Sequence, residues 1–339
     1  MRRFVGIAFA ALVALWGCSD SKGDGLFPMK SGGKCGYIDR EGNWAIEPGV
    51  DLAWTFNGDH MAPARTENGW GFIGTDGNWV ITPRFEAVMR FSKDAGLAPA
   101  RSRDTKKVGY IDRKGEWVVP PQFELGMPFG RNGLAPMILA GGWGLIGTDG
   151  RLVVTPQYGD LVTDQTSDLI GVWHDGTYGF IDHTGNWVVQ PVFEDLRAFE
   201  GNDVAPAAKG GLWGLIDRKG EWVAPPQFDD LFAARDFIMA QLGGKWGIVD
   251  REGRWIAEPQ FDDLWGPGDS GLSPAKQGNR WGFIDNKGQW TIAPQFDEVA
   301  GFGDADVSQV RVGKEWGLID RDGKWLVNPR FEGGERSCI

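Results

Sequence analysis

Catalysis needs nucleophiles, bases or metal ligands gathered in one place, and few residues of this chain could supply them. There are three histidines, His60, His174 and His183. They are scattered, without metal-ligand spacing and without a serine or cysteine in triad context. Aspartates such as Asp217, Asp250 and Asp320 recur at one position of a repeating pattern. Turn geometry explains them better than catalysis, because an acid–base pair needs a unique site. Asp320-Arg321-Asp322-Gly323 has the opening of a calcium loop but lacks the further ligands and the closing glutamate. The reading is a chain with no catalytic constellation, no metal and no cofactor. Binding chemistry is better represented. Trp54 and Trp265 share an offset at which other units carry Met89, Met127 or Ala300, and Trp173-His174 interrupts its own unit. Rings outside a repeat's consensus either fill packing gaps or stack on a partner. Trp54, Trp173, His174 and Trp265 are therefore the candidate ligand contacts.

What must position these residues is a repeat. Aligned on Trp-Gly, the chain falls into nine units that read W-G-apolar-I-D-x-x-G-x-W-x-x-x-P-x-F. Their first glycines, from Gly36 to Gly317, are spaced 33 to 38 residues apart. The second glycine (Gly42 to Gly323) and the proline (Pro48 to Pro329) occur in every copy, and the second tryptophan in all but one, where Leu152 stands. Glycine at 52 residues and tryptophan at 18 follow from this pattern rather than from low complexity. Trp281-Gly282-Phe283-Ile284 reads as a short apolar strand. Asp285-Asn286-Lys287-Gly288 reads as a turn, with the aspartate accepting local backbone hydrogen bonds and the glycine at positive φ. Gln289-Trp290-Thr291-Ile292 returns as a second strand, which the proline ends. Upstream pieces such as Leu97-Ala98-Pro99-Ala100 read as an edge strand, and Phe296-Asp297-Glu298-Val299 as an acidic return. An isolated hairpin is marginal in water, so neighbouring units must share their indoles.

These residues resemble the WG, or KWG, repeat family of bacteria, seen most plainly at Lys245-Trp246-Gly247. The resemblance runs from about Leu26 to Phe331, with departures at Cys35, Val108 and Tyr178 in place of the first tryptophan, and at Gly74 and Gly147 in place of the aspartate. It implies a β-rich repeat protein, often of the cell envelope. The hairpin is also similar, less closely, to the Gly-Trp hairpins of cell-wall (choline-type) binding repeats.

Arg2 and Arg3 precede an apolar run from Phe4 to Trp16, the pattern of a signal peptide over residues 1–17. Leu15-Trp16-Gly17-Cys18 resembles the lipobox of bacterial lipoproteins, with Trp16 as a departure. The resemblance implies lipidation at Cys18, a polar tether over 18–24, and placement in the envelope, at the outer membrane in a Gram-negative cell because Ser19 follows the cysteine. Membrane attachment would be through that lipid only. The net charge is −11, and loss of residues 1–17 removes two arginines and no acid. Nucleic acid, which needs clustered Lys and Arg, is excluded as a partner. An envelope protein with a basic patch, or a cell-wall glycan, fits better.

The expected fold is all-β: nine units of about three strands over 25–335, with 336–339 as a tail. Propellers typically have four to eight four-stranded blades, so an open superhelix is favoured over a closed propeller-like ring. Cys35 and Cys338 decide between them. A disulfide requires Cα atoms closer than about 7 Å, whereas eight open steps of at least the ~4.7 Å strand spacing separate the ends by about 40 Å.

Overall fold

The computed structural model describes residues 24–338, apart from 57, 164–166, 235–236, 268–269 and 304–305. Nine antiparallel sheets follow one another in the chain. The first comprises β1 (Phe27–Ser31), β2 (Lys34–Ile38) and β3 (Trp44–Val50), and the second β4 (Leu52–Ala53), β5 (Met61–Thr66), β6 (Gly69–Gly74) and β7 (Trp79–Phe85). Sheets two to nine are four-stranded meanders built as β4 to β7 are. Three features of the repeat produce this sheet.

The Trp-Gly strand pairs with the returning strand across a bulge. In blade 2 the partners are Trp70 with Phe85, Phe72 with Ile81 and Ile73 with Trp79. The bulge pushes the Ile81 carbonyl to within 2.4 Å of where a Cβ on Gly71 would stand, so only glycine fits. The turn is closed by its aspartate: Asp285 Oδ1 accepts from the backbone N–H groups of Lys287 and Gln289, both at 2.9 Å. Gly288 sits at φ +77°, the left-handed region that glycine tolerates. The returning strand does not stop at its proline. Pairing resumes at the phenylalanine, and the proline lies in an edge strand whose alternate residues, Val80 and Ile256 among them, face solvent.

The upstream Pro-containing piece is not an edge. It is the second strand, flanked on both sides. Pro63 is tolerated because its carbonyl faces the inner strand, accepting from Trp54 N at 3.0 Å. Its missing N–H therefore points past Ala53, where that two-residue strand has already ended. Met89, Met127, Arg197 and Trp265 donate to their prolines in the same way.

The sheets close into a nine-bladed propeller, not an open superhelix. Seven of the nine joints repeat one contact: the second tryptophan of a blade stands edge-on to the terminal aromatic ring of the blade before. Phe261–Trp290 has a centroid separation of 5.5 Å and an interplanar angle of 84°. The pair formed by the last blade and the first, Phe331–Trp44, gives 5.5 Å and 81°. Identical head-to-tail contacts make a ring when their rotation closes, and here nine steps suffice. Other closing contacts also copy interior ones. Glu332 N donates to Lys30 O as Asp262 N does to Lys276 O. The Glu332 carboxylate accepts from Gly33 N as that of Asp297 does from Gly313 N. Arg330 reaches Gly42 O at 2.6 Å as Arg84 reaches Gly115 O.

Residues 332–333 thus supply the missing inner strand of blade 1, through the Lys30–Gly333 bridge. The turn α1 (Glu335–Cys338) buries Cys338, whose disulfide to Cys35 has a Cα–Cα distance of 5.9 Å. The sequence repeat and the blade are out of phase: a unit starting at Gly36 holds the last two strands of one blade and the first two of the next. The expectation of an open array failed on the fourth strand. A two-residue strand such as Leu52–Ala53 has no periodicity to read, and without it the unit looks too small for a blade.

Candidate functional site

The four candidate contacts fall into two groups, 54 with 265 and 173 with 174. Trp54 and Trp265 each follow an inner strand, in blades 2 and 8, and flank the closing turn. Trp54 is 6% exposed and stands 5.7 Å from Trp70. Its carbonyl accepts from the Tyr37 hydroxyl at 2.7 Å, and burial pushes that phenol's pKa up. Arg90 of blade 3 lies over the Trp54 ring and donates to Thr55 Oγ1 at 3.1 Å, and Thr55 donates in turn to Glu335. Trp265 is half-buried, 4.5 Å from Trp281, under the guanidinium of Arg336 at 4.3 Å. Arg336 also pairs with Glu298 of blade 9. One short turn therefore touches blades 1, 2, 8 and 9, which is possible only near the ring axis. Trp54 is enclosed and Trp265 partly so, and both contribute to holding the closure.

Trp173 and His174 lie elsewhere, on opposite faces of the second strand of blade 5 (Ile170–His174), with His174 at the joint with blade 4. Trp173 is 38% exposed and covers Gly159, where a Cβ would stand 2.3 Å from the indole. The His174 ring lies 6.0 Å from Tyr158 and 5.9 Å from Trp187. Three rings thus gather at one joint, with His174 and Trp187 half-exposed, while Trp173 lies exposed on the opposite face of the strand, the face on which Gly171 meets Leu196 of blade 6.

The inner strands hold a feature the sequence announced only as an acidic return. Asp160, Asp195, Asp230, Asp263 and Glu298 occupy the same first position in blades 5 to 9. Asp160 accepts from the Tyr178 hydroxyl at 2.7 Å, Asp230 pairs with Arg197 at 2.9 Å, and Glu298 with Arg311 at 3.0 Å. Burial raises the Asp195 pKa, and the neighbouring charges of Asp160 and Asp230 add to that rise. The acidic pair that follows four of the terminal aromatic residues, as in Glu194-Asp195 and Asp229-Asp230, was the available signal. Its placement at the axis needed the ring.

The recurrent turn aspartates point at their own backbone. Hydrogen bonds from Thr184 and Asn186 hold Asp182 at a pKa of about 2. Asp320 Oδ1 accepts from Asp322 N and Lys324 N at 3.1 and 2.8 Å, the same turn closure. His183 Nε2 contacts Asn132 of blade 4 at 3.3 Å, and His60 pairs with Asp24 at 2.6 Å. Neither histidine stands beside the other or beside His174. Cys18, the expected lipidation site, lies outside the described residues, as do residues 1–17.

Fold and joints together define a β-propeller made of tryptophan-glycine units. The chain belongs to the family of WG containing repeat proteins, whose pattern matches nine times: residues 36–69, 70–104, 109–141, 143–172, 178–213, 213–246, 246–281, 281–316 and 316–335. No curated protein matches the chain by sequence. Among solved structures it is similar to the crystal structure of a eukaryotic initiation factor, with a TM-score of 0.63 and 12% identity over 93% of this chain and 96% of that one. Hsv2p of Kluyveromyces lactis matches at a TM-score of 0.39 and 9% identity, over 57% of this chain and 73% of that one. At such identities the first likeness establishes the fold alone.

Proposed function

We propose that this propeller is a non-catalytic binding protein of the cell envelope, held to the membrane by lipid on Cys18, whose ring docks a protein partner with a basic surface. The observation that carries this reading is a division of labour among residues. Those repeated in the units are consumed by turns and joints: Asp285 closes its own turn, Gly282 admits a bulged carbonyl, and Trp290 seals a joint. Those that differ gather in the acidic inner arc of blades 5–9 and at the exposed Trp173. A basic partner meets both a net charge of −11 and that arc, and steering by such charge speeds encounter. The test is capture from envelope extracts at two ionic strengths, with Asp195→Asn/Asp263→Asn as the comparison. A discrete basic protein lost from the variant and at high salt is expected. Capture unchanged by both would refute the docking reading. Labelled palmitate incorporated into the wild type but not into Cys18→Ser tests the anchor.

A second reading, a cell-wall glycan, is favoured by the exposed Trp173 indole, which stands outside the repeat consensus, since exposed indoles stack on sugar faces. Trp173→Ala would then lose co-sedimentation with peptidoglycan while keeping its melting temperature.

A further inference from the structure

Seven of the nine joints carry the edge-on ring pair described above. The joint between blades 1 and 2 lacks its donor ring: Gly49-Val50 stands where other blades end in a bulky residue and an aromatic one, as in Arg84-Phe85. Among the described residues the Trp79 indole therefore has no partner ring across the joint, and a cavity of about 220 Å³ opens there. Its floor is Cys35, Tyr37, Val50 and Ile73, all buried, with half-exposed Ile46 and Trp79 as walls and exposed Glu47 and Gly49 at the mouth.

We infer that this joint is a binding site for an uncharged aromatic ring, supplied in trans to the place that phenylalanine fills elsewhere in the ring of blades. Three observations converge. First, the size is sufficient, since an engineered apolar cavity of about 150 Å³ takes up benzene. Second, the polar side chains of the lining are engaged or lie at its rim: Thr66 Oγ1 accepts from Asn68 N at 3.2 Å, and Glu47 is exposed. The Tyr37 hydroxyl is turned away to donate to Trp54 O at 2.7 Å, and Cys35 is tied in its disulfide. Third, the geometry of the missing contact is set by the other joints, whose centroid separations of 5.4 to 6.1 Å define where a ring must stand against Trp79. The blades keep the spacing of an intact joint and do not collapse to fill the space: a Cβ on Gly77 would meet Ile46 at 3.4 Å, as one on Gly185 would meet Val154 where the Tyr158–Trp187 pair is present. This site is separate from the acidic arc and from Trp173, and it stands or falls independently of the function proposed above.

The test uses the full chain with toluene as probe, read by saturation-transfer NMR and thermal shift. Saturable binding is expected in the wild type. Val50→Phe, which puts the family's own ring into the space, should weaken it at least tenfold and raise the melting temperature. Val50→Leu fills part of the space with less change of shape and should weaken binding by a smaller factor, which keeps the experiment decisive should the phenylalanine variant misfold. A capped peptide with one central phenylalanine forms the second arm. Competition with toluene assigns the site to a side chain of a partner polypeptide, and failure to compete assigns it to free aromatic molecules. Toluene binding that does not saturate, or that survives both Val50 variants unchanged, overturns the inference.

Discussion

Two neighbouring joints of this ring are built in opposite ways. Between blades 9 and 1 the chain is not continuous, yet that joint holds the Phe331–Trp44 pair, the Lys30–Gly333 bridge, the Arg330 contact to Gly42 O and a disulfide. Between blades 1 and 2 the chain runs on directly from β3 to β4, and the ring pair is missing. Chain continuity keeps two blades at high effective concentration, so that joint tolerates a gap. The joint that must assemble from distant ends has no such help and is packed and cross-linked instead. The blades are equivalent by pattern but not by what each joint must accomplish.

Experiments that break the strong joint should have the largest effects. Removing residues 332–338 deletes the inner strand of blade 1, α1 and the disulfide together, and should abolish the cooperative thermal transition of the full ring in calorimetry. Cys338→Ser alone removes a cross-link over a sequence separation of 303, and should cost about 5–6 kcal/mol in urea unfolding on a chain-entropy account. The next contrast is between two turn glycines. A Cβ on Gly42, at the strong joint, would stand 2.9 Å from Val327, but on Gly77, at the weak one, 3.4 Å from Ile46. Gly42→Ala should therefore cost about 2–4 kcal/mol, the overpacking adding to the left-handed strain. Gly77→Ala should cost only about 1–2 kcal/mol, and equal losses would sink the distinction.

A smaller effect in the opposite direction comes from repair. Leu152→Trp restores the indole facing Phe123 and should stabilise by about 0.5–1.5 kcal/mol. The smallest effect concerns pH. Asp182 is held below its ordinary value, to about 2. Its contribution is complete above the unfolded carboxyl value near 3.8 and is lost as pH falls through the folded one. An NMR titration of its carboxyl should show a midpoint well below those of aspartates outside such turns.

Much of this architecture is legible in the residues. The turn acids, the glycines at positive φ and the indole shared between units all follow from local geometry or from the demands of burying an aromatic ring, whereas the Cys35–Cys338 pair enters only as the test between ring and open array. What could not be read depends on the blade rather than on the unit. The inner strand is only two residues long in most blades, as at Leu52–Ala53, too short to alternate. The upstream proline signals an edge because nothing local reveals that its neighbour has already ended. Trp54 and Trp265 stand outside the consensus, which marks them for ligands, but the same singularity arises because α1, found at only one place in the ring, needs packing partners there. Trp173 lacks such a neighbour and remains on the surface.

The phase offset between repeat and blade has a consequence for assembly. A chain cut short at its end would present β1 as a bare pairing edge, while a chain lacking its beginning would carry an unmated tail around Gly333. Two such fragments are complementary, and a damaged molecule could lend its tail to the open edge of another. The device that seals one intact molecule would then link defective ones into chains, which makes β1 and residues 332–333 a condition for closing the ring within one molecule.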